Sequence, residues 1–192
     1  MKIALVVGHS VKDKGAVNQS FGMSEFEFND RLAKAIVAMY GDKENEIVIV
    51  YRTSTYEALP KQINTLDVGF VVELHCNAFN KIANGCEMLY YHASVKGKEC
   101  ARIFQNRVVQ LLGNKDRGIK SKTIEDRGGY LLKYTKAPAI ITEPFFIDND
   151  DEYFTAKALL DSGDLPRVFC EAIDGCVDYL SNGRYGENTG EI

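Results

Sequence analysis

Apolar and polar positions alternate along the chain in blocks that predict strands and helices in turn. Five short runs rich in Val, Ile, Leu and Tyr predict strands, and these runs cover residues 2–7, 46–51, 68–74, 87–91 and 139–142. Several are apolar at nearly every position, which is typical of strands buried on both faces in a parallel sheet. Such a sheet has helices packed on its faces.

Helical periodicity follows the strands. Ser24 is a predicted N-cap, and Glu27 completes a capping box at the start of a helix that ends near Gly41. Three further helices are predicted over 96–112, 151–160 and 164–180, and the segments 11–23 and 114–129 are predicted to be long loops. The alternation predicts an α/β fold, a three-layer sandwich with a mostly parallel sheet flanked by helices.

Length and composition narrow the class of protein. The 192 residues, 45% of them hydrophobic, predict one domain over 1–180, followed by a polar, Gly-rich and flexible C-terminal tail over 181–192. A net charge of -4 argues against non-specific nucleic-acid binding, and no apolar run is long enough to span a bilayer. The five cysteines are odd in number and form no CxxC pair, so neither a disulfide framework nor a zinc ribbon is indicated.

Two of the three histidines stand directly after predicted strands. His9 follows the first strand and His75 follows a central one. Because ligands bind at the carboxyl ends of strands in open α/β sheets, these side chains are expected to converge. A catalytic zinc ion usually takes three protein ligands from His and carboxylates and leaves one position for water. The pair therefore predicts a zinc site, although a lone histidine is more often a hydrogen-bonded structural residue.

Carboxylates are needed to complete such a site. Glu25 qualifies because it lies at the start of the helix after His9, and Glu27 competes with it from a different direction around the helix. A glutamate in the first turn is also a common capping device, so the choice between them stays open. Glu143 closes a predicted apolar strand, where an ionised carboxylate is costly unless it has a partner or faces a cleft. Beside a metal-bound water it would serve as a general base and then as an acid.

The order of these motifs resembles the zinc-dependent N-acetylmuramoyl-L-alanine amidases of the type 3 family. The segments that carry the resemblance are Val7-Gly8-His9-Ser10, Ser24-Glu25-Phe26-Glu27-Phe28-Asn29, Val72-Glu73-Leu74-His75-Cys76-Asn77-Ala78, Gly85-Cys86-Glu87 through Tyr91, Arg117-Gly118-Ile119-Lys120, Leu131-Leu132 and Pro138 to Asn149. The resemblance implies that Zn²⁺ is held by His9, Glu25 and His75. Glu25 is selected because the family's metal glutamate stands four residues before an asparagine, here Asn29. It also implies that Glu143 is catalytic.

The resemblance further implies a function and a setting. Peptidoglycan would be the partner, and the amide between N-acetylmuramic acid and L-alanine the bond that is cut. The chain is similar to the catalytic part of a phage endolysin or of a spore-lysis enzyme. No signal peptide is recognised, so a cytoplasmic protein that reaches the wall after release is expected.

Ser10, Val7 and Asp30 depart from the family pattern. A zinc peptidase or deacetylase, or an inactive wall-binding module, are the alternatives.

Overall fold

A six-stranded sheet forms the centre of the computed structural model, which describes residues 1–41 and 44–183. The sheet strands are β1 (Lys2–Val7), β4 (Glu46–Tyr51), β5 (Phe70–Leu74), β6 (Cys86–Tyr91), β7 (Asp116–Lys122) and β8 (Ala139–Glu143). A separate small ribbon pairs β2 (Val17–Asn18) with β3 (Met23–Ser24) in antiparallel fashion. All five predicted strands are therefore present in the sheet.

The order and direction of the strands decide which strand ends meet. The order is β4-β1-β5-β8-β6-β7, and the first four strands are parallel to one another. β6 pairs antiparallel with β8 and parallel with β7, so the last two strands run the opposite way. The carboxyl ends of β1, β5 and β8 consequently lie side by side, next to the beginning of β6. The mostly parallel sheet predicted from the sequence is confirmed.

Helices cover both faces of the sheet, which explains why every residue of β5 is buried. The helices are α1 (Glu25–Tyr40), α2 (Leu59–Asn64), α3 (Val95–Leu112), α4 (Gly129–Tyr134), α5 (Asp150–Ser162) and α6 (Asp164–Asn182). The larger core joins one face of the sheet to α1, α3, α5 and α6, and a smaller core joins the other face to α2 and α4. None of the helices described is both long enough and apolar enough to cross a membrane.

The helix beginnings and ends follow the local sequence signals. The Glu27 amide donates to Ser24 Oγ and the Ser24 amide donates to Glu27 Oε2, so the capping box is formed as predicted. Gly41 ends α1 and Gly113 ends α3. These caps satisfy backbone groups that a helix end leaves without partners.

Three differences from the sequence prediction have a physical reason. The predicted loop over 114–129 contains the strand β7, which is an edge strand of mixed polar residues and so lacks an apolar run. The helices α2 and α4 have six residues each, too few to show a helical period. α6 continues to Asn182, so the predicted flexible tail over 181–192 begins with two helical residues. The part of that tail from 184 onward lies outside the described residues.

Candidate metal centre and active-site cavity

The carboxyl edge of the sheet brings both predicted histidines together. His9 lies two residues beyond β1 and His75 directly follows β5, and these strands are neighbours. The His75 amide donates to the carbonyl of Thr142 in β8, so the end of β8 lies next to the ends of β1 and β5. The two imidazole rings meet edge to face, with their centroids 5.1 Å apart. Sheet topology thus produces the convergence that the strand-end positions predicted.

Glu25 lies between the two histidines. Its Oε1 is 2.8 Å from His75 Nδ1 and its Oε2 is 3.2 Å from His9 Nε2. One donor atom from each of the three residues falls within 4.8 Å of the other two, which makes them a candidate metal-binding cluster. Both ring nitrogens of His9 are buried without a hydrogen-bond partner among the described residues. The cluster thus offers two imidazoles and one carboxylate, and the ring nitrogens of His9 are free to bind a cation. This donor set fits a catalytic zinc ion.

The backbone around this cluster is shaped to let the three side chains approach. His9 itself has φ 67°, a left-handed conformation that is uncommon for a residue other than glycine and concentrates at functional sites. A Cβ on Gly8 would collide with the Leu74 carbonyl oxygen and stand 2.7 Å from the His75 ring. A Cβ on Gly15 would stand 2.6 Å from Glu25 Oε2. The two glycines therefore leave the space that the cluster occupies.

Glu27 points away from the cluster, although it lies only two residues from Glu25. Its Oε1 accepts a hydrogen bond from Lys14 Nζ at 2.7 Å, and its other oxygen serves the Ser24 cap. Glu25 is 1% exposed and also accepts hydrogen bonds from the amides of Ala16 and Cys76. Within the first turn of α1, Glu27 therefore caps the helix, whereas Glu25 is buried and faces the histidines.

Electrostatics at the cluster favour charged side chains in the metal-free protein. Burial acts to raise the pKa of Glu25, but the hydrogen bond with His75 and the nearby ring of His9 outweigh it and hold that pKa well below its usual range. Burial acts to lower the pKa of His75, but the carboxylates of Glu73 and Glu25 raise it above its ordinary value. A divalent cation binding here would therefore replace a proton on the imidazole.

A cavity of about 420 Å³ opens beside the cluster on the α2 and α4 side of the sheet. His9 and His75 lie in its wall together with Glu143, the last residue of β8. Oε2 of Glu143 is buried and has no hydrogen-bond partner among the described residues. Burial raises the pKa of Glu143 to about 8, although the nearby charge of His75 acts to lower it. A carboxyl group with this pKa can both accept and release a proton near neutral pH.

Several charged residues of the cavity were not singled out from the sequence. Asp13, Arg52, Glu73, Glu87, Lys122, Asp126 and Arg127 all line it. Glu87 lies directly opposite Glu143 across β6 and β8 and is paired with Arg117 at 2.7 Å. Glu73 had a signal that could have revealed it, because it is the one charge inside the apolar run 68–74 and shares a strand face with His75.

An α/β sheet that carries a His–Glu–His cluster at its carboxyl edge, beside an open cavity, is typical of metal-dependent hydrolases. The chain belongs to the N-acetylmuramoyl-L-alanine amidase family (Amidase_3), whose model matches residues 3–167. The matched segment includes all four of the predicted site residues.

Known proteins resemble the chain over most of its length. It is 27% identical over 148 residues to the N-acetylmuramoyl-L-alanine amidase LytC of Bacillus subtilis (strain 168), an alignment that covers 74% of the chain and 28% of LytC. The chain therefore corresponds to little more than a quarter of that relative's length.

Solved structures have the same fold. The N-acetylmuramoyl-L-alanine amidase from Clostridium difficile 630 superimposes with a TM-score of 0.82 at 21% identity, over 95% of this chain and 98% of that one. The catalytic domain of the CD27L endolysin targeting Clostridia Difficile gives a TM-score of 0.76 at 25% identity, over 90% and 96% of the two chains. The three-layer α/β arrangement is thus that of amidase catalytic domains.

Proposed function

We propose that this chain hydrolyses the amide bond between N-acetylmuramic acid and L-alanine in peptidoglycan, using a zinc ion held by His9, Glu25 and His75. One observation carries the proposal. The donor atoms of these three residues lie within 4.8 Å of one another, beside a cavity that also contains Glu143, whose Oε2 has no hydrogen-bond partner among the described residues. Membership of the amidase family supports the choice of bond.

The residues present suit zinc and its usual role. When bound, zinc acts as a Lewis acid that polarises the scissile carbonyl and makes a water molecule acidic at neutral pH. His9 and His75 supply neutral nitrogen ligands, and Glu25 adds one negative charge. Backbone amides of Ala16 and Cys76 hold the Glu25 carboxylate in its orientation, so the chain itself determines where its oxygens point.

Glu143 handles the protons of the reaction. It accepts a proton from the attacking water as the new C–O bond forms, and it delivers this proton to the departing nitrogen as the C–N bond breaks. The products are a free carboxyl group on the muramoyl side and a free amino group on L-alanine. A pKa of about 8 in the metal-free protein shows how strongly the site disfavours the charged carboxylate before a cation is present.

The test is hydrolysis of purified peptidoglycan with identification of the new chain ends. We expect free alanine amino groups to appear without new reducing sugar ends, and we expect chelation to stop the reaction and added zinc to restore it. New amino groups on other residues, or release of acetate, would instead indicate a peptidase or a deacetylase.

Substitution of the proposed proton carrier gives a sharper comparison. Glu143→Gln should retain zinc and lose at least ~100-fold in rate, the usual contribution of a positioned proton carrier. Glu125→Gln is the matched control because Glu125 is exposed on the loop that leads into the cavity rim. Wild-type rates for Glu143→Gln would refute the assignment of Glu143.

A further inference from the structure

A buried carboxylate two residues before His75 has no role in the reaction described so far. Glu73 is 1% exposed and occupies β5, where its four strand neighbours are apolar. Removing a carboxylate from water costs several kcal/mol unless partners compensate, so such a residue rarely persists in a strand without a function. Its Oε2 is buried and lacks a hydrogen-bond partner among the described residues.

The other oxygen of Glu73 faces the outer nitrogen of His75. Glu73 Oε1 lies 3.4 Å from His75 Nε2, whereas the opposite nitrogen, Nδ1, lies 2.8 Å from Glu25 Oε1. The imidazole of His75 is therefore held between two carboxylates. Glu25 belongs to the candidate metal-binding cluster, and Glu73 lies outside it. Glu73 and His75 point to the same face of the sheet, since they stand two residues apart at the end of one strand.

We propose that Glu73 is a positioning residue for His75. Its carboxylate accepts a hydrogen bond from the Nε2–H, and this leaves the lone pair of Nδ1 directed at the cation held by Glu25 and His9. Histidine ligands of metals commonly donate their second ring N–H to a carboxylate, which sets the tautomer and orientation of the ring. The inference rests on the proposed zinc site, and it assigns to Glu73 a task distinct from coordination and from proton transfer.

His9 provides an internal contrast. Its outer nitrogen, Nδ1, lies 3.5 Å from Asp13 Oδ2, and Asp13 is held by Arg52 at 2.9 Å. The Asp13 side chain is 62% exposed, so water can replace it as an acceptor. Glu73 is shielded from solvent, and no water would take its place as easily. Loss of Glu73 should therefore weaken the metal site more than loss of Asp13.

The experiment measures zinc affinity by competition with a chromophoric chelator, independently of catalysis. Glu73→Leu removes the acceptor without leaving a void, and it should weaken zinc binding by ~10–100-fold. Glu73→Gln keeps an oxygen that can accept from Nε2 and should bind zinc more tightly than Glu73→Leu. Glu125→Leu is the matched control because it makes the same change at an exposed glutamate that is not part of the cavity wall. Its affinity should stay within about threefold of wild type.

The outcomes separate the possible failures. If wild type binds no zinc, the proposed function fails. If wild type binds zinc and Glu73→Leu binds it equally well, or if Glu73→Gln is no tighter than Glu73→Leu, the positioning role alone is overturned. Thermal unfolding of the zinc-free variants checks that each is folded, and Glu73→Ala replaces Glu73→Leu in the comparison if leucine does not fit. A purely structural role would lower the zinc-free melting temperature and leave zinc affinity unchanged.

Discussion

The buried carboxyl group of Glu143 should destabilise the metal-free protein in a way that depends on pH. In the folded chain its pKa is about 8, compared with an ordinary value of 4.5 that applies once the chain unfolds. Between these two values the unfolded state releases this proton and the folded state keeps it. The unfolded state therefore binds fewer protons, and the free energy of unfolding falls as pH rises from about 4.5 to about 8.

The magnitude follows from the same two values. Each pH unit between them costs the folded state about 1.4 kcal/mol, so at pH 7 the penalty is on the order of 3 kcal/mol. Glu143→Gln has nearly the same shape and cannot ionise, so it should remove the penalty. Since 1 kcal/mol shifts the melting temperature of a chain of this size by ~2–4 °C, the variant should melt ~6–12 °C above wild type at pH 7.

The assay is thermal or urea unfolding of both proteins between about pH 5 and pH 8, in the presence of a chelator so that no cation neutralises the carboxylate. The difference between the proteins should be small near pH 5 and should grow with pH. With zinc restored, the variant should nevertheless be the less active protein. A difference that is constant across this pH range would contradict the prediction, because it would show that Glu143 does not titrate with a raised pKa.

Two further predictions concern the geometry of the metal cluster. His9→Ala should abolish stoichiometric zinc binding in elemental analysis. Glu27→Gln preserves the capping box and should bind zinc normally. Loss of zinc from the Glu27 variant would mean that the wrong carboxylate has been assigned. Gly8→Ala should lower the free energy of unfolding by ~1–3 kcal/mol in urea titrations, because its Cβ would overlap the Leu74 carbonyl oxygen and crowd His75. Unchanged stability of Gly8→Ala would show that the strand ends can separate.

Local patterns were sufficient to predict the elements that border the site. The buried runs of β1, β5 and β8 are apolar at nearly every position because helices cover both faces of the sheet. The start of α1 was predicted because Ser24 and Glu27 form a reciprocal cap within four residues. β7 was missed because an edge strand pairs on one side only and tolerates polar residues.

The choice between the two glutamates shows the limit of local reasoning. Glu25 and Glu27 have the same chemistry and both lie in the first turn of α1, so only a resemblance to a family separated them in the sequence. In the structure, Lys14 holds Glu27 on the exposed side while Glu25 turns inward to the histidines. The difference arises from the direction in which α1 packs, which no residue within its first turn encodes.

Local patterns in the sequence are enough to predict the α/β class, the strand-end positions of His9 and His75, and a carboxylate at the end of β8, because each depends on hydrophobic period and on immediate neighbours. The tertiary structure decided which of these groups meet. β1, β5 and β8 are adjacent only through the strand order of the sheet. Convergence of groups some 50 to 130 residues apart depends on long-range pairing, which local periodicity does not specify.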